Sequence, residues 1–516
     1  MPPSQKSPDS QPVPRPPKRK ARILLAAAAL FCVALVAAIT ITVMFPFAQE
    51  KLTEQVQRHS SATVEFGSFR KLYFPGPGFI AEGVVLRRAS SAPPSVTIKR
   101  ITVVASYFGL LGRSKSIRQV QTEGLVVRVS TDDGSHNLLF HRGPDTEGTF
   151  TVERLVAESS ELQISSGPNR KPLLFRVGRL DMQDVGEHSR IKFDVALHNP
   201  KPEMTINARG ELGPWRRDQV LLTPVSGTFA VSNGNLATLP QLGGLLAGRG
   251  HFNGELATIH VTGTAEVSNF VVRRGTHPMP LRTQYDSVVR TSGGEVTLRS
   301  VHARLGETEI TASGVIAPAE RHKPEVVNLL LASDAGRIED LLRLVVASPK
   351  PAMRGPIRFR TRAIVARGEE PFLSRVRLDG EFLIHKAAFT SATQQKVDKL
   401  SARAQGNTED EDPPDTAVTL TGNVEMKDGI ALLSKVKFQV RGADAVGGGT
   451  FNVFSKRVHL KGRLRTQAKL SEATKGAKSF VLKLLQPIIK NEGGGSVVPV
   501  QVTGTSKHPK FKVGIR

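Results

Sequence analysis

The sequence predicts a mainly β protein: an N-terminal transmembrane helix, then a long, curved, antiparallel-rich β-sheet with an apolar groove and a few short amphipathic helices. Three observations predict it. Apolar and polar residues alternate over most of the chain. In Val418–Leu432, Val418, Leu420, Val424 and Met426 fall on one face of a strand and Thr419, Thr421, Asn423 and Glu425 on the other. From Ile23 to Gln49 no residue is charged. Glycine recurs at a fixed place within the apolar rows.

At 516 residues the chain exceeds a single ordinary core. Hydrophobic residues at 39% are enough to coat one face of many strands, and aromatics at 5% suggest no aromatic-rich pocket. The only cysteine, Cys32, excludes a disulfide within the chain and a cysteine metal cluster. The net charge of +25 fits nucleic acid, anionic lipid or an acidic surface. It equally fits polar strand faces that happen to use Lys and Arg.

Residues 1–22, rich in Pro, Ser and basic residues, read as a disordered basic cytoplasmic tail ending in Lys18, Arg19, Lys20 and Arg22. Residues 23–47 read as the transmembrane helix. About 24 residues at ~1.5 Å each give roughly 36 Å, enough for a ~30 Å hydrocarbon layer. A cleaved signal has a shorter apolar core. The basic flank puts the N-terminus in the cytoplasm and the rest outside it, and so removes most of the nucleic-acid reading. Phe47–Arg58 reads as a short amphipathic helix continuing the span.

Strands are expected from Ala62 onward, with a β region over 48–200. His136 and His141, in the polar loop that follows Thr131, read as a solvated pair rather than a metal site. A middle β region over 201–400 includes Ile206–Leu212, Ile259–Val267, Ile310–Ile316, Ile357–Ala363 and Val376–Ile384. Leu236–Ala247 reads as a weak helix or a loop. A helix is expected near 335–347, capped by Asp334, with Ile338, Leu341, Leu342 and Val345 as its apolar stripe. A second short helix falls at Gln394–Leu400, and Gly406–Asp415 reads as an acidic linker. The C-terminal β domain, 401–516, contains a further helix over Lys475–Lys490.

Strands of the form apolar-x-apolar-x-Gly-x-apolar place Gly83, Gly210, Gly263, Gly314, Gly380, Gly422 and Gly462 on the apolar face, with Gly504 in a close variant. Two readings stay open here. The glycines let one sheet curve around its apolar side, or they mark scattered bulges in sandwich domains. No zinc-protease, nucleophile-elbow or phosphate-loop motif occurs, and Ser68-x-x-Lys71 and Ser434-x-x-Lys437 lack companion motifs. No catalytic residue, metal or cofactor is expected.

The C-terminal run "GNVEMKDGIALLSKVKFQVRGADAVGGGTFNVFSKRVHLKGRL", with "VVPVQVTGTSKHPKF" after it, resembles the C-terminal region of AsmA-family proteins. The apolar span, "SATVEFGSF" and "VTIKRITVVASYFGLLGRSKSIRQVQTEGLVVRVS" resemble that family's opening. The resemblance implies a single-pass inner-membrane protein with its bulk in the periplasm, related to TamB-like and Vps13-like bridge proteins that are thought to pass phospholipid between membranes. It implies that Ile310, Ile316, Val376, Leu378, Phe382, Leu420, Val424, Met426, Leu460 and Leu464 line a lipid groove, with phospholipid acyl chains as ligands and no nucleic acid. About 20 strands at ~4.8 Å span on the order of 100 Å, short of the whole envelope, so an envelope protein partner, an oligomer or a shorter-range role is also implied. Two other readings stay open: a scaffold assisting outer-membrane protein assembly by strand addition, and tandem β-sandwiches binding a polyanion.

Overall fold

The computed structural model describes residues 49–50, 53–54, 63–72, 74, 76–87, 95–106, 115–130, 150–165, 173–186, 188–200, 202–216, 219–239, 242–272, 277–290, 295–317, 325–346, 350–366, 368, 370–389, 391–405, 417–467, 489–490, 496–506 and 508–513. The expected transmembrane helix 23–47, His136, His141, the linker 406–415 and most of the 475–490 helix lie outside them. Among the described residues no helix is long and apolar enough to cross a membrane.

The described strands join one 26-stranded sheet. Its first edge is β1 (Thr63–Glu65) and β2 (Ser68–Leu72), both paired to β3 (Gly78–Arg87). The ladder continues through β4 (Val96–Ala105), β5 (Lys115–Ser130), β6 (Phe150–Ser165), β7 (Leu173–Gly186), β8 (Ile191–Pro200) and β9 (Glu203–Leu212). β5 and β6 pair in parallel; every other described pairing is antiparallel. Next come β10 (Pro224–Asn235), β11 (Gly243–Glu255), β12 (Thr258–Val271), β13 (Met279–Arg290), β14 (Glu295–Leu305), β15 (Thr308–Ile316) and β16 (Glu325–Arg337). The region expected as a weak helix or loop at Leu236–Ala247 is only a 3-10 turn, Leu236–Thr238, followed by the start of β11. Gly243 and Gly244 open that strand at an irregularity, where the ladder shifts before Leu245 and Gly244 takes φ 122°.

Helix α1 (Ile338–Val345) leads to β17 (Met353–Arg354) and β18 (Pro356–Ala366). α2 (Phe372–Arg375) precedes β19 (Val376–Phe389), and α3 (Ser391–Ala404) precedes β20 (Val418–Lys427). β21 (Ile430–Val440), β22 (Ala443–Asn452), β23 (Val458–Thr466), β25 (Ser496–Gly504) and β26 (Pro509–Val513) complete the ladder, with the short β24 (Ile489–Lys490) also on β25. Ile489 and Lys490, expected at the end of a helix, are therefore strand. The unbroken ladder also replaces the tandem-sandwich reading. The β20–β21 turn is the one read from "KDG": Asp428 and Gly429 both have positive φ, 52° and 71°, as a tight two-residue hairpin requires.

Bulges keep the apolar face in register. A slip of one residue would turn every later side chain to the opposite face. Where the ladder shifts between Val267 and Phe270, Asn269 takes φ 54°; between Ile384 and Ala387, Lys386 takes φ 49°; between Leu433 and Val436, Lys435 takes φ 51°. Each left-handed residue absorbs the extra position, so apolar residues on both sides stay on one face.

Glycines face large neighbours on that same face. Gly227 pairs with Phe252 and Phe229 with Gly250, a reciprocal exchange across β10 and β11. Gly263 pairs with Tyr285 and Gly422 with Phe382. A Cβ at Gly250 would lie 2.8 Å from the Phe229 ring, so the ring occupies the space that a side chain would need. At Gly210 a Cβ would collide with the Ser226 carbonyl of the neighbouring strand. Gly83 differs: it takes φ 62° while the β3–β4 register stays the same on both sides of it.

The polar face carries cross-strand ion pairs such as Arg100–Glu82 at 2.7 Å and Arg282–Glu266 at 3.0 Å, each worth little because it is exposed. Asp181 is more enclosed. Arg154 Nε donates to its Oδ1 at 3.0 Å and Arg179 donates at 3.2 Å. The Arg154 hydrogen bond, above all, holds its carboxyl below the ordinary Asp range.

Substitutions on the two faces have separate expected outcomes. Gly210→Ala lowers stability by about 1–3 kcal/mol in urea unfolding. Gly178→Ala, whose Cβ would meet only the Ala196 carbonyl at 3.7 Å, stays within about 0.5 kcal/mol. Asp181→Asn costs about 1 kcal/mol at neutral pH. Because the native pKa is lowered, that contribution is complete above the unfolded value of about 3.9 and is lost as pH falls through the native one. The unfolding curves of the wild type and of the Asp181→Asn protein should therefore converge in acid.

Candidate functional site

Register decides which side chains share a face. Leu378 is opposite Met426, Gly380 opposite Val424, and Ile384 opposite Leu420. Leu460 faces Val502 and Leu464 faces Val498. Ile310 is opposite Ala303, and Ile316 is opposite Val296 and Val327. Val376 pairs with Val365 and Phe382 with Phe359. By the same pairings Gly210, Gly263, Gly314, Gly380, Gly422 and Gly462 lie in the apolar rows, and Gly504 ends the row on β25 at φ 97°. One apolar face thus runs across the ladder and carries every groove residue expected from the sequence.

That face is not uniform. Over β3–β6 it is dry: Val103, Ile117, Val120 and Val152 are 0% exposed. A side chain with no exposed surface is covered by protein, so this stretch is a filled core.

Over β18–β21 the face is covered by α1. Ile338, Leu341 and Leu342 pack in a cluster with Phe359, Phe382, Ile384, Val418, Leu420 and Phe438. Leu344 and Val345 belong to a second cluster with Val376, Leu378, Val424 and Met426. The same cluster contains Leu242, Phe270 and Val272 from the β11–β12 end, but no residue of β13–β15. Its connection therefore does not run along the sheet surface: the sheet coils back over its inner face, with α1 in the fold. α3 closes one end, where its Val397 joins Ala387 and Val418 and the Ser401 hydroxyl donates to the Arg441 carbonyl at 2.8 Å.

What seats α1 is a buried carboxylate that the sequence reading missed. Asp334, expected as the cap, is exposed; the capping position is Arg337, with no side-chain cap bond. Asp340, 3% exposed, accepts instead from the Glu307 backbone N–H and the Thr308 hydroxyl, each at 3.0 Å. Thr308, 0% exposed, accepts in turn from the Arg337 N–H at 3.0 Å. Glu339 accepts from the Gly355 N–H at 3.1 Å. A helix that begins with Glu339 and Asp340 suits its own dipole, and here both acids also fix it to the turns of the sheet.

Besides β9–β12, where Ile206, Phe229, Phe252 and Val261 are half-buried, two stretches of the apolar face remain half-covered. On β13–β16 these are Val289, Val296, Leu298, Ile310, Ala312, Ile316, Leu329 and Leu331, none of them within a core cluster. On β23 they are Val458 and Leu460. Val376, Met426 and Leu464, by contrast, are 6%, 7% and 5% exposed and pack against protein. Tyr285, next to the first stretch, has its phenol pKa raised by burial.

Arg249, His251, Gln284 and His302, beside Phe229 and Tyr285, line a hollow of about 610 Å³. Among the described residues no group of His, Cys, Asp or Glu is arranged to hold a metal ion. No family model, no curated protein and no solved structure matches this chain.

Asp340→Ala is expected to cost about 1–3 kcal/mol by leaving the Thr308 hydroxyl and Glu307 N–H unpaired, and to speed amide exchange across 338–345. Unchanged exchange there would mean that the apolar stripe alone holds α1.

Proposed function

We propose that this chain is a membrane-anchored, non-enzymatic lipid-binding protein of the cell envelope, which takes or passes phospholipid acyl chains along the apolar face of its sheet. The anchor is residues 23–47, in the inner membrane with the N-terminus cytoplasmic. The observation that carries the reading is the half-covered apolar row of β13–β16, which lies between the filled core near the first edge and the section packed under α1. Apolar side chains brought together on one face and left half-covered invite an apolar partner, and each methylene transferred onto them is worth roughly 0.8 kcal/mol. The resemblance to AsmA-family proteins points the same way. Lys and Arg on the surrounding polar face, part of the +25 net charge, would favour anionic head groups.

The filled β3–β6 stretch and the seated α1 narrow the reading. The lipid-facing residues are Ile310, Ile316 and Leu460 rather than Val376, Met426 or Leu464. Acyl chains reaching the section under α1 would require that helix to lift.

A photoreactive side chain placed at 310 or 316 in the full-length protein is expected to crosslink to phospholipid recovered with it from membranes. One at 309, on the same strand but the polar face, is not. Mass spectrometry that finds no lipid adduct from 310 or 316, or equal labelling from 309, would remove the proposal.

A further inference from the structure

We infer that the cavity at the C-terminal end of α1 is a binding site for one alkyl chain bearing an acidic head group, distinct from the half-covered row on β13–β16. The inference rests on the lipid-binding reading above and gives it a specific ligand class. The cavity holds about 160 Å³ and is lined by Leu342, Val346 and Phe451, by residues 351–352, by Arg343 and by Ser506. Apolar cavities of about 150 Å³ stay dry and accept a guest the size of benzene. Such a space takes the end of one alkyl chain and has no room for two. A single-chain amphiphile meets that limit with no second chain left outside.

The head group follows from the wall. Arg343 is its only charged residue, 43% exposed, and stands 3.8 Å from Asp340 Oδ1. Asp340 meets its closer partners, Glu307 and Thr308, through Oδ2, so the guanidinium keeps donors for an incoming anion. Ser506 adds a hydroxyl whose Oγ is buried behind the wall without a hydrogen-bond partner, so the cavity itself is apolar and Arg343 is the group that selects the head. A chain longer than the cavity has somewhere to go. Phe451 pairs with Val458, and Leu460 follows on the same face, both half-buried.

The experiment uses the full chain in nanodiscs with three diazirine-bearing probes: a C8 carboxylic acid, the matched alkyl phosphate and the matched alcohol. Adducts are mapped by peptide mass spectrometry. The acid, the phosphate or both should label the segments carrying 342–346 or 451, with the alcohol at least 5-fold weaker; whichever acid labels more identifies a carboxylate or a phosphate head. Leu342→Trp, which fills the cavity, should cut labelling at least 10-fold. Arg343→Gln, a change at a partly exposed side chain, should bring acid and alcohol to the same level. Equal labelling by acid and alcohol in the unaltered protein, or full labelling in the Leu342→Trp protein, overturns the inference. The crosslink from position 310 is read in the same samples. Phospholipid captured at 310 with no acid adduct at 342–346 or 451 removes the cavity site alone; no capture at 310 with acid labelling intact removes the phospholipid reading and leaves the cavity.

Discussion

A β-ladder keeps one apolar face over many strands only if side-chain alternation survives every irregularity in the backbone. Each strand here contributes a row whose members are two residues apart, and each bulge threatens to invert the rows beyond it. Asn269, Lys386 and Lys435 prevent this by taking left-handed conformations at the extra position. A non-glycine residue pays a conformational cost there, and the surrounding ladder imposes it because the alternative would expose a whole row of Val, Leu and Ile. The apolar face, its coiling and any ligand it takes all depend on that register.

Glycine has a second role on this face beyond relaxing the backbone. The Phe229–Gly250 and Gly227–Phe252 pairs show aromatic rings lying across the neighbouring strand where a side chain is missing. The ring restores buried area that the glycine gives up, and the glycine allows the close strand approach that a coiled sheet needs. The two openings left by the sequence, curvature or bulges, are resolved position by position. Gly210 and Gly422 serve close packing on the inner face, and Gly83 serves a left-handed turn of the backbone within an unshifted ladder.

The face built in this way is divided along its length. A dry core fills it near the first edge, a half-covered row follows, and α1 then occupies the coil. Under the proposed lipid-binding reading, such a division would hold lipid at defined places and not along a single uninterrupted track. It also makes α1 the element on which passage along the whole face would turn. Its seat is polar at one end, through Asp340 and Thr308, and apolar along its stripe, so the two kinds of contact are separable by mutation.

Much of the fold was legible in the chain alone. Alternation located the strands, "KDG" located a hairpin, and the stripe of Ile338, Leu341, Leu342 and Val345 located α1. Strand ends were less legible for an identifiable reason: Ile259–Val267 and Val376–Ile384 stop where Asn269 and Lys386 break the period of two, although the strands continue to Val271 and Phe389. The sequence by itself determined that apolar residues would gather on one side of the strands, because a two-residue repeat admits no other arrangement. Only the tertiary structure decided which of them stay uncovered. Val376 and Ile316 carry the same local signal, yet one packs in a cluster with α1 and the other does not, because burial depends on how far the sheet coils and on what falls inside the coil, and neither is written in the spacing of neighbouring residues.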